Sequence, residues 1–198
     1  MFILNIAAGK VLPIDPLNKN DILVNLDLNY FNSIDVKDVE KYHRSLSVVK
    51  EDDEKPLILY VNHDVYDFLE RYSEKFDKIV IYRFLEHVPK VQVLYFLYLL
   101  SSTVKIGGTV EVIVPDYKRL AIRILDEKVN DIDFEAQDII TTFELLNEKY
   151  SPHLSVWTKD RAKHFFELEE RFKVIEINEN YPFDGRDIYL RFTAQRIK

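Results

Sequence analysis

The chain has 198 residues, 47% of them hydrophobic and 13% aromatic, which suits one domain with a continuous core. With a net charge of −7 and no basic stripe, nucleic-acid binding is disfavoured. The absence of cysteine excludes disulfides, thiolate nucleophiles and cysteine-ligated metal sites. The apolar start lacks the positive flank of a signal peptide, and the longest apolar run, around residues 93–100, is too short to span a bilayer. We therefore expect a cytoplasmic protein without a membrane segment.

Two kinds of apolar run alternate along the chain. Short runs rich in Ile, Val, Leu and Phe predict buried strands at residues 2–6, 22–28, 57–61, 78–82 and 109–114. Stretches with helical spacing lie at residues 65–72 and 91–104. Strands alternating with helices predict a mostly parallel sheet with helices on both faces.

Two regions depart from this alternation. After Gly9, the prolines Pro13 and Pro16 oppose the helix expected there. Residues 116–157 form a long, mainly helical region without a strand, which we interpret as a lid or insertion within a single domain spanning residues 1–198. A helix at 158–168 and strands at 172–177 and 188–194 close the chain. A short loop joins these two strands, so we expect an antiparallel hairpin.

The strand ends carry candidate binding residues. Gly9 follows the first strand, where a backbone must approach a ligand closely, although an ordinary left-handed turn is the alternative. Asp27 ends the second strand roughly 20 residues later and can accept both hydroxyls of a ribose, or simply be a solvated strand end. Asp64 follows the third strand, where helix capping is the commoner role. Neither GxxxxGK[ST] nor GxGxxG occurs, which disfavours NTPase and nicotinamide or flavin sites.

The ordered segments LNIAAGK, NLDLN, FDKIVIYRFLEHVP and VKIGGTVEVIVPD resemble the class I S-adenosylmethionine-dependent methyltransferases, in particular their small type 11-like group. The closing segment HLSVWTKDRAKHFF also resembles that family. The resemblance implies a Rossmann-like methyltransferase sandwich: a mostly parallel, seven-stranded sheet with helices on both faces. It also implies that the last strand is antiparallel and lies between the fifth and sixth strands.

The resemblance further implies a pocket for S-adenosylmethionine. The loop against the amino-acid part of the cofactor would contain Ala7, Ala8 and Gly9, and Asp27 would hold the ribose hydroxyls. Contacts to the adenine would come from Asp64 with Asn62 or His63. The pocket beyond the fourth strand would be lined by Tyr82, Arg83 and Phe84, with Glu86 and His87 beside them.

Three residues depart from the family pattern. Asn5 replaces an acid of the first strand and cannot act as an anionic partner for the methionine ammonium, while Ala7 and Ala8 stand where glycines are common. We therefore keep two hypotheses. The first is a methyltransferase acting on a small molecule, a sugar or a protein side chain, with a small-molecule or saccharide acceptor favoured. The second is a catalytically inactive methyltransferase-like domain that serves as a binding or structural module.

Methyl transfer requires chiefly the alignment of a nucleophile with the methyl group, and a general base only for a protonated acceptor. The candidate bases are His87, His153 and Asp116. The commoner role for His87 is to cap the following helix or to hold the loop, and the alternative for Asp116 is to start the next helix. His153 and Trp157 lie in SPHLSVW, a loop able to fold over the acceptor, although core packing is the commoner role for such a tryptophan. The carboxylates at residues 52–54 have no histidine spaced for metal binding, and we predict no metal site.

Overall fold

A computed structural model of the chain describes residues 1–6, 17–27, 56–126, 153–168, 170–183 and 186–198. The strands are β1 (Phe2–Ile6), β2 (Ile22–Leu26), β3 (Leu57–Val61), β4 (Phe76–Tyr82), β5 (Val104–Pro115), β6 (Phe172–Phe183) and β7 (Arg186–Arg196). The helices within the described ranges are α1 (Val65–Arg71), α2 (Val93–Thr103), α3 (Tyr117–Leu125) and α4 (Lys159–Leu168). Two single turns of 3₁₀-helix, Leu85–His87 and Lys90–Gln92, precede α2.

The strands form one seven-stranded sheet in the order β3-β2-β1-β4-β5-β7-β6. β1 pairs in parallel with both β2 and β4, β2 pairs in parallel with β3, and β4 pairs in parallel with β5. β7 is antiparallel to both β5 and β6. The predicted mostly parallel sheet with a C-terminal antiparallel hairpin is confirmed, as is the position of the last strand between the fifth and sixth.

Alternating side chains direct the strands towards two buried layers. The larger cluster contains residues such as Phe2, Leu4 and Ile6 of β1 and receives buried side chains from α1, α2 and α4. The opposite face holds a smaller cluster, to which α3 contributes Leu120. Alternate side chains of one strand are thus buried on opposite faces of the sheet. This explains why such strands appear in the sequence as continuous apolar runs.

The junction between α2 and β5 differs from the prediction. The strand predicted at residues 109–114 is longer in the structure, because β5 begins at Val104 and includes Gly107 and Gly108. The pairing of β4 with β5 shifts register at this point, and Gly107 has a φ of 81°, which favours glycine. A Cβ on Gly108 would lie 2.8 Å from the carbonyl oxygen of Asp77. The glycines therefore allow an irregular strand to pass close to β4.

The terminal strands are longer than the sequence indicates, because β6 extends to Phe183 and β7 begins at Arg186. β6 alternates mostly between exposed and half-buried residues, and its pairing with β7 shifts register three times. Pro182 lies within β6, whereas Gly185 lies outside the described residues, as does the segment 127–152 of the predicted lid. Among the described residues, no helix is both long and apolar enough to cross a membrane.

Candidate functional site

The carboxyl ends of β1 to β4 lie side by side. Ile6 pairs with both Leu26 and Ile81, and Leu26 pairs with Val61. The chain passes from β1 outward to β2 and β3, then places β4 on the other side of β1, so the strand order reverses between β1 and β4. In open α/β sheets, ligands bind outside the carboxyl ends of the strands at such a switch point. We call this edge of the sheet the switch edge.

Asp27 and residues 62–64 lie at the switch edge, as their positions after β2 and β3 require. The half-buried Asp27 donates its backbone N–H to the carbonyl of Val61, with an N to O distance of 3.0 Å. Asp64 caps α1: its Oδ1 accepts hydrogen bonds from the backbone N–H groups of Tyr66 (2.9 Å) and Asp67 (3.2 Å). Asp64 thus fills the capping role that was the commoner alternative. Its contact with an adenine stays a prediction.

The first loop falls on residues that the structure does not describe. Ala7, Ala8 and Gly9 lie outside the described ranges, and their role stays a prediction. Asn5 is fully buried within β1, and its side-chain Nδ2 donates to Oδ1 of Asn25 at 3.0 Å. The two asparagines also face each other in the register of β1 and β2.

The side chains of Tyr82, Arg83 and Phe84, at and just after the end of β4, have different surroundings. The Tyr82 hydroxyl donates to Oε1 of the buried Glu111 at 2.9 Å, and the Tyr82 ring belongs to the smaller cluster. Arg83 is exposed and has a φ of 54°, a conformation that residues other than glycine rarely adopt. The Phe84 ring packs against that of Phe96 in α2, with 5.8 Å between centroids. That these three residues line a cofactor pocket stays a prediction.

Two of the three candidate bases come together just beyond β4. The rings of His87 and His153 lie edge to face with 4.9 Å between centroids. Beside them, Glu86 is fully buried. The hydroxyl of Tyr117 lies 2.8 Å from Nδ1 of His153, a hydrogen bond whose direction depends on the tautomer of the imidazole. One carboxylate, two imidazoles and a phenol are thus concentrated beside the switch edge.

Hydrogen bonds hold the segment 153–157 against the turn Leu85–His87. The backbone N–H groups of Leu154 and Ser155 donate to the carbonyl of Glu86 at 2.8 and 2.9 Å. The Ser155 hydroxyl donates to the carbonyl of Leu85 at 2.9 Å and accepts a hydrogen bond from the Trp157 indole at 2.8 Å. We call these interactions the clamp. They fix His153 beside His87, and Trp157 is both core packing and part of the clamp.

The third candidate base, Asp116, lies at the start of α3. Its Oδ1 accepts hydrogen bonds from the backbone N–H groups of Lys118 (3.0 Å) and Arg119 (3.4 Å), so it caps the helix. Burial raises the pKa of Asp116 above its ordinary value, although these two hydrogen bonds oppose the shift. A raised carboxyl pKa suits a group that exchanges protons, but a role for Asp116 as a base stays a prediction.

Sequence reasoning missed the parts played by Tyr117 and Ser155. Neither belongs to a motif, and each acquires its role only when residues 153–157 fold onto the turn after β4. The one available signal was the pairing of a histidine with a tryptophan in SPHLSVW, which singled out the segment but not its partners.

The implied cofactor can be tested against the residues at the switch edge. Asp27 provides a carboxylate at the end of β2, the place at which ribose hydroxyls are bound in such sheets. Within the described part of the chain, the buried Nε2 of His63 makes no hydrogen bond, so this edge offers an unsatisfied polar atom where an adenine is predicted. These donor and acceptor groups fit a nucleoside, and the residues present are compatible with S-adenosylmethionine.

The structure is similar to many solved methyltransferases. It superposes on a SAM-dependent methyltransferase from Methanosarcina mazei with a TM-score of 0.55 and 16% identity, covering 99% of this chain and 92% of the other. The 1,6-didemethyltoxoflavin-N1-methyltransferase of Burkholderia thailandensis, solved with S-adenosylhomocysteine, gives a TM-score of 0.57 at 10% identity over 100% and 71% of the two chains. The N-methyltransferase NodS of Bradyrhizobium japonicum, also with S-adenosylhomocysteine, gives 0.51 at 11% identity over 100% and 78%.

No protein-family model and no curated protein matches the sequence. At identities between 10% and 16%, the structural likeness establishes the fold. The chain therefore has the Rossmann-like fold of the class I S-adenosylmethionine-dependent methyltransferases.

Proposed function

We propose that the protein is an S-adenosylmethionine-dependent methyltransferase with a small-molecule or saccharide acceptor. The observation that carries this proposal is the switch edge: a methyltransferase-type strand order that brings Asp27 and residues 62–64 to the place where such sheets bind ligands. The resemblance of the sequence motifs to the small type 11-like group supports the same function independently.

In this proposal, Asp27 accepts hydrogen bonds from the ribose hydroxyls, and Asp64 with Asn62 or His63 contacts the adenine. The loop of Ala7 to Gly9 holds the amino-acid end. The cofactor supplies a methyl group activated by its bond to a sulfonium. The chain itself must orient the acceptor, exclude water and remove a proton where the acceptor starts as a hydroxyl.

His87 and His153 are the groups we propose for proton removal. Both lie just beyond β4, and a neutral imidazole can take a proton near neutral pH. His87 is half-buried and so remains reachable from solvent, whereas His153 is 6% exposed and held by Tyr117. We therefore propose His87 as the base and His153 as a positioning residue.

Calorimetric titration of the purified chain with S-adenosylmethionine and S-adenosylhomocysteine tests this function. We expect micromolar binding that Asp27→Ala abolishes while the circular dichroism spectrum and melting temperature are retained. The matched control is Asp160→Ala, which removes an exposed carboxylate on α4 and should leave binding unchanged.

Absence of binding up to millimolar cofactor would refute the enzyme and favour the inactive binding or structural module. If Asp27→Ala unfolds the domain, Asp27 is structural and the pocket is misplaced. A measured interaction would justify a screen of small-molecule and saccharide acceptors.

A further inference from the structure

We infer that Glu86, His87 and His153 bind a divalent transition-metal ion, with zinc as the expected occupant. One carboxylate oxygen and one ring nitrogen from each histidine all lie within 4.8 Å of one another. We call these residues the Glu–His–His cluster. This inference goes beyond the proposed methyl transfer and does not depend on it. The two roles given to His87 belong to different states of the chain: His87 can accept a proton only without the metal, because a bound ion takes the lone pair of its imidazole. It departs from our expectation of no metal, which considered only ligands that are close in sequence.

Burial of the cluster favours a positive charge within it. Glu86 is fully buried and His153 is 6% exposed, while the half-buried His87 leaves one side of the cluster open to solvent. Transfer of a carboxylate out of water is costly unless a cation or a metal compensates its charge. A divalent ion entering from the side of His87 would supply that compensation.

The ligands are held before any metal binds. Glu86 and His87 both lie in the first 3₁₀ turn after β4, Leu85–His87. The clamp fixes His153 to the same turn through two hydrogen bonds to the carbonyl of Glu86. Zinc bonds of about 2.0–2.1 Å in tetrahedral geometry separate ligand atoms by roughly 3.3 Å. Side-chain rotations that move the ligand atoms by on the order of 1 Å are therefore enough to close the cluster around an ion.

Tyr117 orients the imidazole of His153 through a hydrogen bond. Metal-binding histidines generally use their second ring nitrogen to hydrogen-bond a neighbouring group, which fixes the orientation of the ring. The Tyr117 hydroxyl occupies this position, 2.8 Å from Nδ1 of His153. Nε2 is then the nitrogen of His153 that takes the metal.

The ligand types select the class of metal. Two imidazoles and one carboxylate suit zinc and its neighbours in the first transition row, whereas magnesium and calcium prefer oxygen ligands alone. Three protein ligands leave at least one coordination position open, as in catalytic zinc sites and unlike closed structural ones. The open position would take water or an oxygen of a bound ligand.

The competing explanation is a purely structural network in which a protonated imidazole neutralises Glu86. Zinc titration separates the two, because such a network has no affinity for a metal. The full chain is stripped with EDTA, exchanged into metal-free buffer and titrated with zinc chloride by calorimetry, without S-adenosylmethionine. We expect one equivalent bound with micromolar or tighter affinity, and visible absorption bands of the bound ion when Co²⁺ replaces zinc.

Four variants and one control assign the site. His87→Gln, His153→Gln and Glu86→Gln should each weaken zinc binding at least about tenfold, and Tyr117→Phe about tenfold. His164→Gln removes an exposed imidazole from α4 and should leave the affinity unchanged. If Glu86→Gln fails to fold, the half-buried His87→Gln carries the test, with circular dichroism as the check on folding.

No zinc binding up to millimolar concentration, or equal binding by His87→Gln and the unmodified chain, would overturn the inference. Because this titration contains no cofactor and the cofactor titration contains no metal, the metal site and the methyltransferase function can fail separately.

Discussion

The side-chain amide of Asn5 donates a hydrogen bond to the side-chain oxygen of Asn25, 3.0 Å away, where β1 and β2 pair. Asn5 is fully buried and Asn25 is 1% exposed. A neutral pair thus occupies the interior at the point where the sequence resemblance leads us to expect an acid. A carboxylate at residue 5 would be removed from water, which is costly.

We predict that Asn5→Asp lowers the free energy of unfolding at pH 8 by roughly 3 kcal/mol or more, because an ionised carboxylate would be buried in place of an amide. The loss should be smaller at pH 5, since burial raises the pKa of the introduced carboxyl and the folded protein then keeps it protonated. Urea unfolding at the two pH values measures this. The control Asn178→Asp, on an exposed position of β6, should change little. An equal loss at both pH values would contradict the argument.

Asp77 should contribute stability that disappears in acid. Partial burial alone would raise the pKa of Asp77, but hydrogen bonds from Lys105 (2.6 Å) and from the Phe2 backbone N–H (2.7 Å) outweigh it and hold the pKa below its ordinary value of 3.8. With a lowered pKa in the folded state, the contribution is present above pH 3.8 and is lost as the pH falls through the folded-state pKa.

Asp77→Asn should therefore lower the urea midpoint at pH 7 and lose less stability than the unmodified chain between pH 4 and pH 2.5. Asp160→Asn on α4 is the matched control and should retain the normal acid dependence. A parallel acid dependence in Asp77→Asn and the unmodified chain would rule out this role for Asp77.

The effect at Asp116 should have the opposite sign. Burial raises the pKa of this carboxyl, so its contribution to stability is complete below pH 3.8 and is lost as the pH rises through the folded-state pKa. Asn at this position keeps a capping oxygen without the charge. We predict that Asp116→Asn raises the melting temperature at pH 7 and leaves it unchanged at pH 3. Asp64→Asn, which replaces an exposed cap, should have little effect at either pH. A lower melting temperature for Asp116→Asn at pH 7 would contradict the prediction.

Ser155 should contribute more to the free energy of unfolding than an ordinary serine does, because its hydroxyl takes part in two buried hydrogen bonds of the clamp. Ser155→Ala should cost about 1–3 kcal/mol of unfolding free energy, since the indole of Trp157 loses its nearer acceptor in the interior and keeps only the carbonyl of Leu85 at 3.3 Å. Trp157 is the single tryptophan of the chain, so its fluorescence reports the clamp directly. The control Ser102→Ala, which removes a hydroxyl donating to the carbonyl of Tyr98, should cost less. Equal losses for the two variants would argue against the clamp.

Much of the sheet could be predicted because its strands are apolar runs. The predicted bounds of β1 agree with the structure, since all of its residues are buried and a continuous apolar run marks such a strand clearly. The predicted bounds of β3 also agree, although β3 is an edge strand with Leu57 and Tyr60 exposed. β6 was predicted too short because beyond Ile177 it is partly exposed and irregularly paired, so hydrophobicity does not mark its end. β5 was predicted to begin only after Gly107 and Gly108, because a glycine pair does not distinguish a turn from an irregular strand.

The candidate site was predictable only in part. Asp27 and Asp64 follow from strand ends, which are local features of the sequence. The cluster of Glu86, His87 and His153 depends on a distant segment folding back onto the turn after β4, and no local pattern encodes that contact. Tyr117 could not be singled out for the same reason: its significance arises from His153.

The insertion of β7 between β5 and β6 has a consequence for biosynthesis. From Thr109 to Pro115, β5 pairs with residues 189–195, so one edge of a buried strand stays open until ribosomes have translated almost to Arg196. An uncovered strand edge is a template for association with other chains. Nascent chains must therefore carry an exposed strand edge while residues 116–195 are translated. Truncations that remove β7 should yield aggregating polypeptides instead of shortened domains.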